Sequence, residues 1–376
     1  MIYFDNASTG GFKPHSVIDS SLTVMRYLCA NPNRSGHRLS LTGLQIIQDT
    51  RRAFAEHFSC SSDRVIFTKN CTEALNVAIF GCVKKGGHVI TTIYEHNSVL
   101  RPLTALKNKG LISLDVVAPT NTLDIVNAIR QKINHKTYMI VSNSVSNVNG
   151  YELPLAQIGE LAKSHNLLFL IDGAQGGGHI PLDMNKTNAT MLALAGHKGL
   201  YGIMGSGVLL IKDGVSLEPL TYGGTGNESF NLNQPNCYPE RLEAGTLNLP
   251  AIASLKEGLA YVIKNRENFA PLLRLMSENL LVGLNNISGV NTYSQPNNSG
   301  IVAFSVKDLP SSRVCDILNT DYDIAVRGGL HCAPLMHEFL KTKEEGLVRV
   351  SFSPQNTTRE ISVLLSAISR IAKLNG

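Results

Sequence analysis

Short apolar runs rich in β-branched residues alternate with stretches of helical periodicity through the first two thirds of the chain. The runs predict strands at Arg64–Thr68, Gly87–Thr92, Leu114–Val117, Tyr138–Ser142, Leu167–Asp172 and Gly207–Ile211. The stretches between them predict helices, among them Thr72–Phe80, Leu123–Ile133 and Pro154–His165. Nearly continuous apolar strands that alternate with helices are typical of a mostly parallel sheet covered on both faces. We therefore predict an α/β domain that binds its ligands at the carboxyl ends of the strands.

The pattern changes after residue 250. One long helical stretch, Ala251–Gly283, contains Pro271, where we expect a bend or a break. Shorter strands at Ile301–Val306, Ile324–Val326 and Val348–Phe352 precede a closing helix at Thr358–Leu374. This order indicates a smaller α+β domain. We expect a large domain over residues 15–250 and a small one formed by residues 1–14 and 251–376.

Composition limits the class of protein. The chain has 376 residues, of which 43% are hydrophobic, as in globular proteins, and only 17% are charged. A low charge content is typical of a chain that buries surface in an oligomer. The net charge of +5 is not clustered, and no apolar run reaches the ~18 residues of a membrane span. With no signal-peptide pattern after Met1, we expect a cytoplasmic protein that binds neither nucleic acid nor membrane.

The seven cysteines do not form a pattern typical of disulfides or zinc. They are Cys29, Cys60, Cys71, Cys82, Cys237, Cys315 and Cys332, and no CxxC pair occurs among them. An odd number at wide spacings indicates reduced thiols and no metal site.

Two motifs suggest cofactor chemistry. Lys198 lies between glycines in Ala195–Gly202, and a desolvated lysine in a loop can act as a nucleophilic amine, although a surface turn would look the same. Asp172 ends an apolar strand, where it could instead cap a helix or bind a metal. Together they meet the two needs of pyridoxal phosphate, a lysine that bonds to it and an acid that keeps its ring nitrogen protonated.

The chain resembles the cysteine desulfurase and selenocysteine lyase family, of aminotransferase class V. The resemblance rests on motifs in family order. They are Tyr3–Thr9, Asn31–His37, Glu95–Asn97, the Asp172 and Lys198 motifs, Glu243–Thr246 and Arg327–Pro334. It implies fold type I of the pyridoxal-phosphate enzymes, with a seven-stranded sheet, and a conversion of L-cysteine to L-alanine. The short Cys332 loop resembles that of group II enzymes.

The resemblance also implies the role of each matching residue. Lys198 would bind the cofactor, with Asp172 on the ring nitrogen, His96 over the ring and Gln175 and Asn147 at the phenolic oxygen. The phosphate would lie on Cys71 and Thr72 at a helix N-terminus, with His197 as a further donor. Thr246 would reach the phosphate of a partner subunit, which implies a homodimer.

The resemblance also implies residues that bind the substrate and residues that take its sulfur. Arg349 and Asn147 would orient the substrate carboxylate, since a guanidinium fork suits that planar group. Cys332, near His331 and Arg327, would take the sulfur as a persulfide for an acceptor protein. Two positions depart from the family: Ala195 stands where relatives have Ser or Thr, and Asn143 where many have His.

Several alternatives stay open at this point. A selenocysteine lyase, or a class V C–S lyase or aminotransferase of specialised metabolism, would carry the same cofactor motifs, although transamination needs no thiol. A non-catalytic scaffold for a partner protein would have no use for Lys198, Asp172, His96 and Arg349 together. The pathway served, whether iron–sulfur assembly, thiolated cofactors or selenium, does not follow from the sequence.

Overall fold

A computed structural model describes residues 1–28, 30–32, 35–120 and 124–374. The helices are α1 His15–Tyr27, α2 Arg38–Phe58, α3 Cys71–Gly81, α4 Asn97–Asn108, α5 Ile125–Lys132, α6 Leu155–Ser164, α7 Leu249–Asn285, α8 Ser311–Tyr322, α9 Pro334–Phe339 and α10 Thr358–Leu374. The strands are β1 Ile2–Tyr3, β2 Val65–Thr68, β3 Gly87–Thr92, β4 Ile112–Val117, β5 Thr137–Asn143, β6 Leu168–Asp172, β7 Met191–Ala195, β8 Gly207–Ile211, β9 Val290–Thr292, β10 Ile301–Val306, β11 Ile324–Ala325 and β12 Val348–Ser351. Among the described helices, none combines the length and apolar character needed to cross a membrane.

The main sheet has the order β2-β8-β7-β6-β5-β3-β4. The pairs from β7 through β6, β5 and β3 to β4 are parallel, and β8 is antiparallel to both of its neighbours. All strands but β8 therefore end at the same edge. The segments that follow β2, β3, β5, β6 and β7 at this edge carry the predicted cofactor residues. The fold class and the mostly parallel sheet are confirmed.

Each of the six strands predicted for this sheet forms, with ends shifted by two residues at most. The seventh, β7, is absent from the sequence prediction because Met191–Ala195 contains no β-branched residue. It is nevertheless fully buried in the sheet, where packing decides the structure more than propensity does. The predicted start of a helix at Leu123 lies outside the described residues.

A second core belongs to the C-terminal part of the chain. The antiparallel strands β9, β10 and β12 form a small sheet, and β1 pairs in parallel with β11. Phe4 packs with Leu273, Phe304 and Leu364 in one apolar cluster, so the N-terminal residues belong to this core.

Helix α7 connects the two cores. It continues through Pro271 as one helix, so of the bend or break expected there the break does not occur. Leu249, Leu255 and Leu259 pack in the core of the main sheet, whereas Leu273 and Leu280 pack in the small one. The helix thus spans the region where we place the domain boundary, and the division at residue 250 stays a prediction.

Candidate active site

A cavity opens at the carboxyl edge of the main sheet. Its lining includes eight of the predicted site residues, namely Cys71, Thr72, His96, Asn147, Asp172, Gln175, His197 and Lys198. They come from five segments, each following a different strand. The topology of the sheet therefore brings together residues that are far apart in sequence. Ala195 and Asn143, the two departures from the family pattern, also line this cavity.

Lys198 lies in the turn after β7 and is half-buried. Its amine has no hydrogen-bond partner among the described residues. Burial lowers the pKa of the amine, while the neighbouring Cys71 and Asp172 act in the opposite direction. A lysine held in this way retains a larger neutral fraction and is suited to attack a carbonyl group.

Asp172 is buried at the end of β6, and burial raises the pKa of its carboxyl. Its Oδ1 atom accepts from the Ala174 N–H at 2.9 Å and from the Cys71 thiol at 3.5 Å. In the described part of the chain no group donates to Oδ2. That oxygen can therefore receive an N–H from a ligand in the cavity. The thiol of Cys71 points to this carboxylate, which leaves the main-chain N–H of Cys71 for a phosphate.

His96 caps the N-terminus of α4. Its Nδ1 atom accepts from the Ser98 N–H at 3.0 Å, and the Ser98 hydroxyl lies 2.9 Å from the same nitrogen. Burial, together with the positive charges of Lys198 and Arg327, lowers the pKa of the imidazole to about 4. The ring is therefore neutral near pH 7, and because Nδ1 accepts a hydrogen bond, its hydrogen lies on Nε2, which can donate to a ligand.

The N-terminus of α3 supplies donors for an anion. Asn70 caps the helix by accepting from the Glu73 N–H at 2.8 Å, and the Thr72 hydroxyl lies 2.8 Å from that of Ser98. Free N–H groups and the helix dipole favour a phosphate here. His197 lies near it, with Nδ1 at 3.1 Å from the Thr9 hydroxyl, and burial lowers its pKa to about 4.

Two amides complete the cavity wall. Asn147 donates through Nδ2 to the His331 carbonyl at 2.7 Å, while its Oδ1 is buried and lacks a donor among the described residues. Gln175 donates to the Ala7 carbonyl at 3.0 Å. Because an NH2 group has two hydrogens, Gln175 retains one for a ligand.

Arg349 is only 1% exposed and does not line the cavity, but it is bonded to Asn147, which does. Its guanidinium donates at 2.9 Å to the Asn147 carbonyl, to Asp5 Oδ1 and to the Ser8 hydroxyl. Burial lowers the pKa of Arg349, and Asp5 opposes that effect. Sequence reasoning missed Asp5 and Ser8 as partners, although both lie in the quoted N-terminal motif.

The loop that carries Cys332 is bonded to the cavity wall. The Asn97 N–H donates to the Cys332 carbonyl at 2.7 Å, and Asn147 binds the preceding carbonyl of His331. An Arg327 Nη2 atom lies 3.9 Å from the Cys332 sulfur, which is half-buried. His331 and Cys332 have φ angles of 49° and 58°, a left-handed conformation that is costly for side-chain-bearing residues and typical of functional loops.

Arg349, Cys332 and Thr246 are the predicted site residues that do not line this cavity. Thr246 lies instead in the wall of a separate pocket. It is exposed and accepts a hydrogen bond from Asn31 at 3.2 Å. Three residues earlier, Glu243 forms a buried ion pair with Arg51 and accepts from the Phe67 N–H on edge strand β2. Thr246 therefore contributes nothing to the cavity of its own subunit.

Comparison with known proteins identifies the family. Residues 2–364 match the model of the aminotransferase class-V family. The chain belongs to that family. A probable cysteine desulfurase of Pyrococcus abyssi is 32% identical over 99% of this chain and 94% of its own length. A cysteine desulfurase of Escherichia coli is 30% identical over 100% of this chain and 94% of its own length.

Solved structures agree with this assignment. The apo cysteine desulfurase of Thermococcus onnurineus superposes with a TM-score of 0.93 at 30% identity, covering 99% of this chain and 94% of the other. The Escherichia coli cysteine desulfurase CsdA has the same fold, with a TM-score of 0.89 at 24% identity over the same shares of the two chains. The class-V family uses pyridoxal phosphate, so this chain is a pyridoxal-phosphate enzyme of fold type I.

The residues present fit this cofactor. The Lys198 amine and Asp172 Oδ2 lack partners among the described residues, and the buried Asn147 Oδ1 lacks a donor there. The N-terminus of α3 adds a site for the phosphate at the same cavity.

Proposed function

We propose that the chain is a cysteine desulfurase that converts L-cysteine to L-alanine and transfers the sulfur to Cys332. The observation that carries this is the attachment of the Cys332 loop to the cofactor cavity through the Asn97 N–H and the Asn147 amide. A thiol in this position, with the cationic Arg327 beside it, has a direct use in sulfur transfer.

Each cavity residue has a task in this reaction. Pyridoxal phosphate, when bound, supplies an electron sink for bond breaking at the substrate. Lys198 would hold the cofactor and, when its amine is free, would move protons at the substrate Cα. Asp172 holds a proton at the ring nitrogen. The neutral imidazole of His96 would lie against the cofactor ring and could donate from Nε2.

The substrate carboxylate would bind at Arg349 and Asn147. Arg349 is held by Asp5 and Ser8, so its orientation is set before the substrate binds. The buried Nε of Arg349 has no acceptor in the described part of the chain and is available to a carboxylate oxygen. Holding the carboxylate there would bring the substrate sulfur towards the Cys332 loop.

The sulfur step balances as a two-electron transfer. The Cys332 thiolate attacks the substrate sulfur and forms an S–S bond, while the bond between Cβ and sulfur breaks and its electron pair stays on carbon. Cβ takes up the proton that the substrate thiol carried, and L-alanine leaves. Cys332 keeps the sulfur as a persulfide until a second thiol collects it.

Replacement of Cys332 tests this proposal. In Cys332→Ala we expect a normal cofactor absorbance band and loss of sulfide and alanine formation from L-cysteine. Cys237→Ala is the matched control, because Cys237 is exposed, and it should retain full activity. Undiminished alanine formation by Cys332→Ala would show that another group takes the sulfur.

We further propose a homodimer that works in the cytoplasm and passes its sulfur to an acceptor protein. Thr246 lies outside its own cavity, as a residue that serves the partner subunit would. Cys332 is only half-buried, as a residue that passes its sulfur to an acceptor thiol would be. A reducing compartment keeps the thiol free for each turnover.

A further inference from the structure

Glu95 is a completely buried carboxyl group between β3 and α4, directly before His96. Its side chain has 0% exposure. One oxygen, Oε1, accepts from the Thr92 hydroxyl at 2.6 Å and from the Asn143 N–H at 3.0 Å. The side chain thus bridges the ends of β3 and β5. None of the roles described above uses it.

The other oxygen of Glu95 has no donor. Oε2 is buried without a hydrogen-bond partner among the described residues, and so is Oδ1 of Asn143, the residue that Glu95 already binds. The amide hydrogens of Asn143 face away, since Nδ2 donates to the Tyr94 carbonyl at 2.6 Å. Two neighbouring residues therefore each bury an acceptor that lacks a donor, an arrangement that proteins avoid. A hydrogen on Oε2 that reached Oδ1 of Asn143 would satisfy both atoms.

The surroundings of Glu95 also disfavour a negative charge. Its direct partners, Thr92 on β3 and Asn143 on β5, are neutral, and the charged group that acts on it from β6 is the carboxylate of Asp172. Burial is the largest effect and raises the pKa of Glu95 to about 8. Glu243 provides the contrast, because burial also raises the pKa of its carboxyl but the paired cation of Arg51 opposes that effect.

We propose that Glu95 is a neutral carboxylic acid whose Oε2 hydrogen is donated to Oδ1 of Asn143, and that it acts as a positioning residue for the cofactor site. The acid joins the end of β3, which leads into His96, to the end of β5, which leads into Asn147. Asn143 in turn pairs with Asp172 across β5 and β6. The hydrogen bond from Oε2 would thus help to connect the strand ends that carry His96, Asn147 and Asp172, three residues assigned to the cofactor.

The positioning role rests on the proposed function, whereas the charge state of Glu95 does not. Infrared difference spectra of the purified holoprotein and its Glu95→Gln variant test the charge state directly. We expect the wild type to show the carbonyl stretch of a protonated acid that the variant lacks. Carboxylate bands in its place at pH 7 would overturn the proposal, whatever the activity of the enzyme.

Thermal unfolding against pH gives a second test with a defined sign. A group with a pKa near 8 when folded, against 4.5 as its ordinary value, binds more protons in the folded state. Its contribution is fully present below about pH 4.5 and is lost as the pH rises to about 8. The melting temperature of Glu95→Gln, which cannot ionise, should therefore rise relative to wild type across this range. A relative fall would mean that the folded state holds a carboxylate.

Conservative and non-conservative variants separate positioning from mere packing. Glutamine can accept at Oε1 and donate at Nε2, so Glu95→Gln should change cofactor affinity and kcat/KM by less than about threefold. Glu95→Ala leaves the Asn143 N–H unpaired and should lose about tenfold or more in cofactor affinity.

Glu243→Gln is the control for an ionised buried glutamate, and it should lower the melting temperature because Arg51 loses its counter-charge. Loss of cofactor affinity in Glu95→Gln as large as in Glu95→Ala would overturn the proposal.

Discussion

At the scale of single residues, Arg349 is held in a fixed orientation, as the substrate-binding role proposed for it requires. It is among the largest fully buried side chains described, and three partners fix its guanidinium. Asp5 supplies the counter-charge, so the buried cation is paired. A lysine at this position could not reproduce the planar fork or its set of bonds.

We therefore expect Arg349→Lys to impair substrate binding more than cofactor binding. Loss of a hydrogen bond to a charged group costs about 1.5–3 kcal/mol, which corresponds to about 10- to 150-fold in kcat/KM for L-cysteine. Steady-state kinetics measure this, with the cofactor absorbance band and the melting temperature as checks on the fold. Arg359→Lys, on the exposed side of α10, is the control and should leave kcat/KM unchanged. An unchanged kcat/KM in Arg349→Lys would remove Arg349 from the substrate site.

The residues that do chemistry are the part of the site that could be predicted from the sequence. Lys198, Asp172 and the Cys332 loop are residue types in local sequences that predict a pyridoxal-phosphate site. The sheet topology brings them to one cavity or its edge. The partners of these groups could not be predicted in the same way. Asp5 and Arg349 are 344 positions apart in the chain, and the burial of Glu95 depends on packing between strand ends. The direction of the Cys71 thiol towards Asp172 likewise depends on side-chain packing that no local pattern reveals.

At the scale of elements, helix α7 supports the loop that carries Lys198. Gly258 on this helix packs against the main chain of Leu200, and a Cβ atom there would clash with the Leu200 carbonyl oxygen. Only glycine fits at this contact, because a main-chain atom, unlike the end of a side chain, cannot move away from an added Cβ. The helix therefore sets the position of the Lys198 loop, which follows a different element.

Gly258→Ala should displace this loop. Alanine would stabilise the helix itself by about 1 kcal/mol, but overpacking against main chain costs about 1–3 kcal/mol. We expect a lower melting temperature together with weaker cofactor binding, measured by titration of the apoprotein. Gly283→Ala on the same helix is the matched control, because its Cβ meets only the flexible end of Leu365 in the small core. Equal cofactor affinity in the two variants would contradict the link between α7 and the Lys198 loop.

Elements were predictable where the local pattern agreed with the tertiary environment. Strands β3, β8 and β10 form at the predicted residues because β-branched and apolar side chains favour a buried strand. Strand β7 and the unbroken α7 show the opposite case. Burial between two strands makes a strand of Met191–Ala195, and packing against both cores carries α7 through Pro271 despite the lost hydrogen bond.

At the scale of the whole molecule, the segment before Thr246 exposes large apolar side chains, as the interface of the proposed dimer would. Phe230 and Leu232 are 104% and 102% exposed, and Tyr222 is 70% exposed. Large apolar side chains this close together are seldom left in water by a protein that works as a monomer. Low charge content fits the same conclusion, since dimer interfaces contain fewer charged residues than other surfaces.

We expect the double variant Phe230→Glu/Leu232→Glu to be a monomer with weakened cofactor binding. Charges placed in an apolar interface oppose association, and each cavity would then lose the Thr246 of its partner. Light scattering measures the mass of the particle in solution, and cofactor titration measures the affinity. Thr246→Ala should weaken cofactor binding while the protein keeps the mass of a dimer. Val282→Glu, an exposed apolar position on α7, controls for the added charge and should remain a dimer. A monomeric double variant with unchanged cofactor affinity would show that each subunit binds its cofactor alone, and the role assigned to Thr246 would then be wrong.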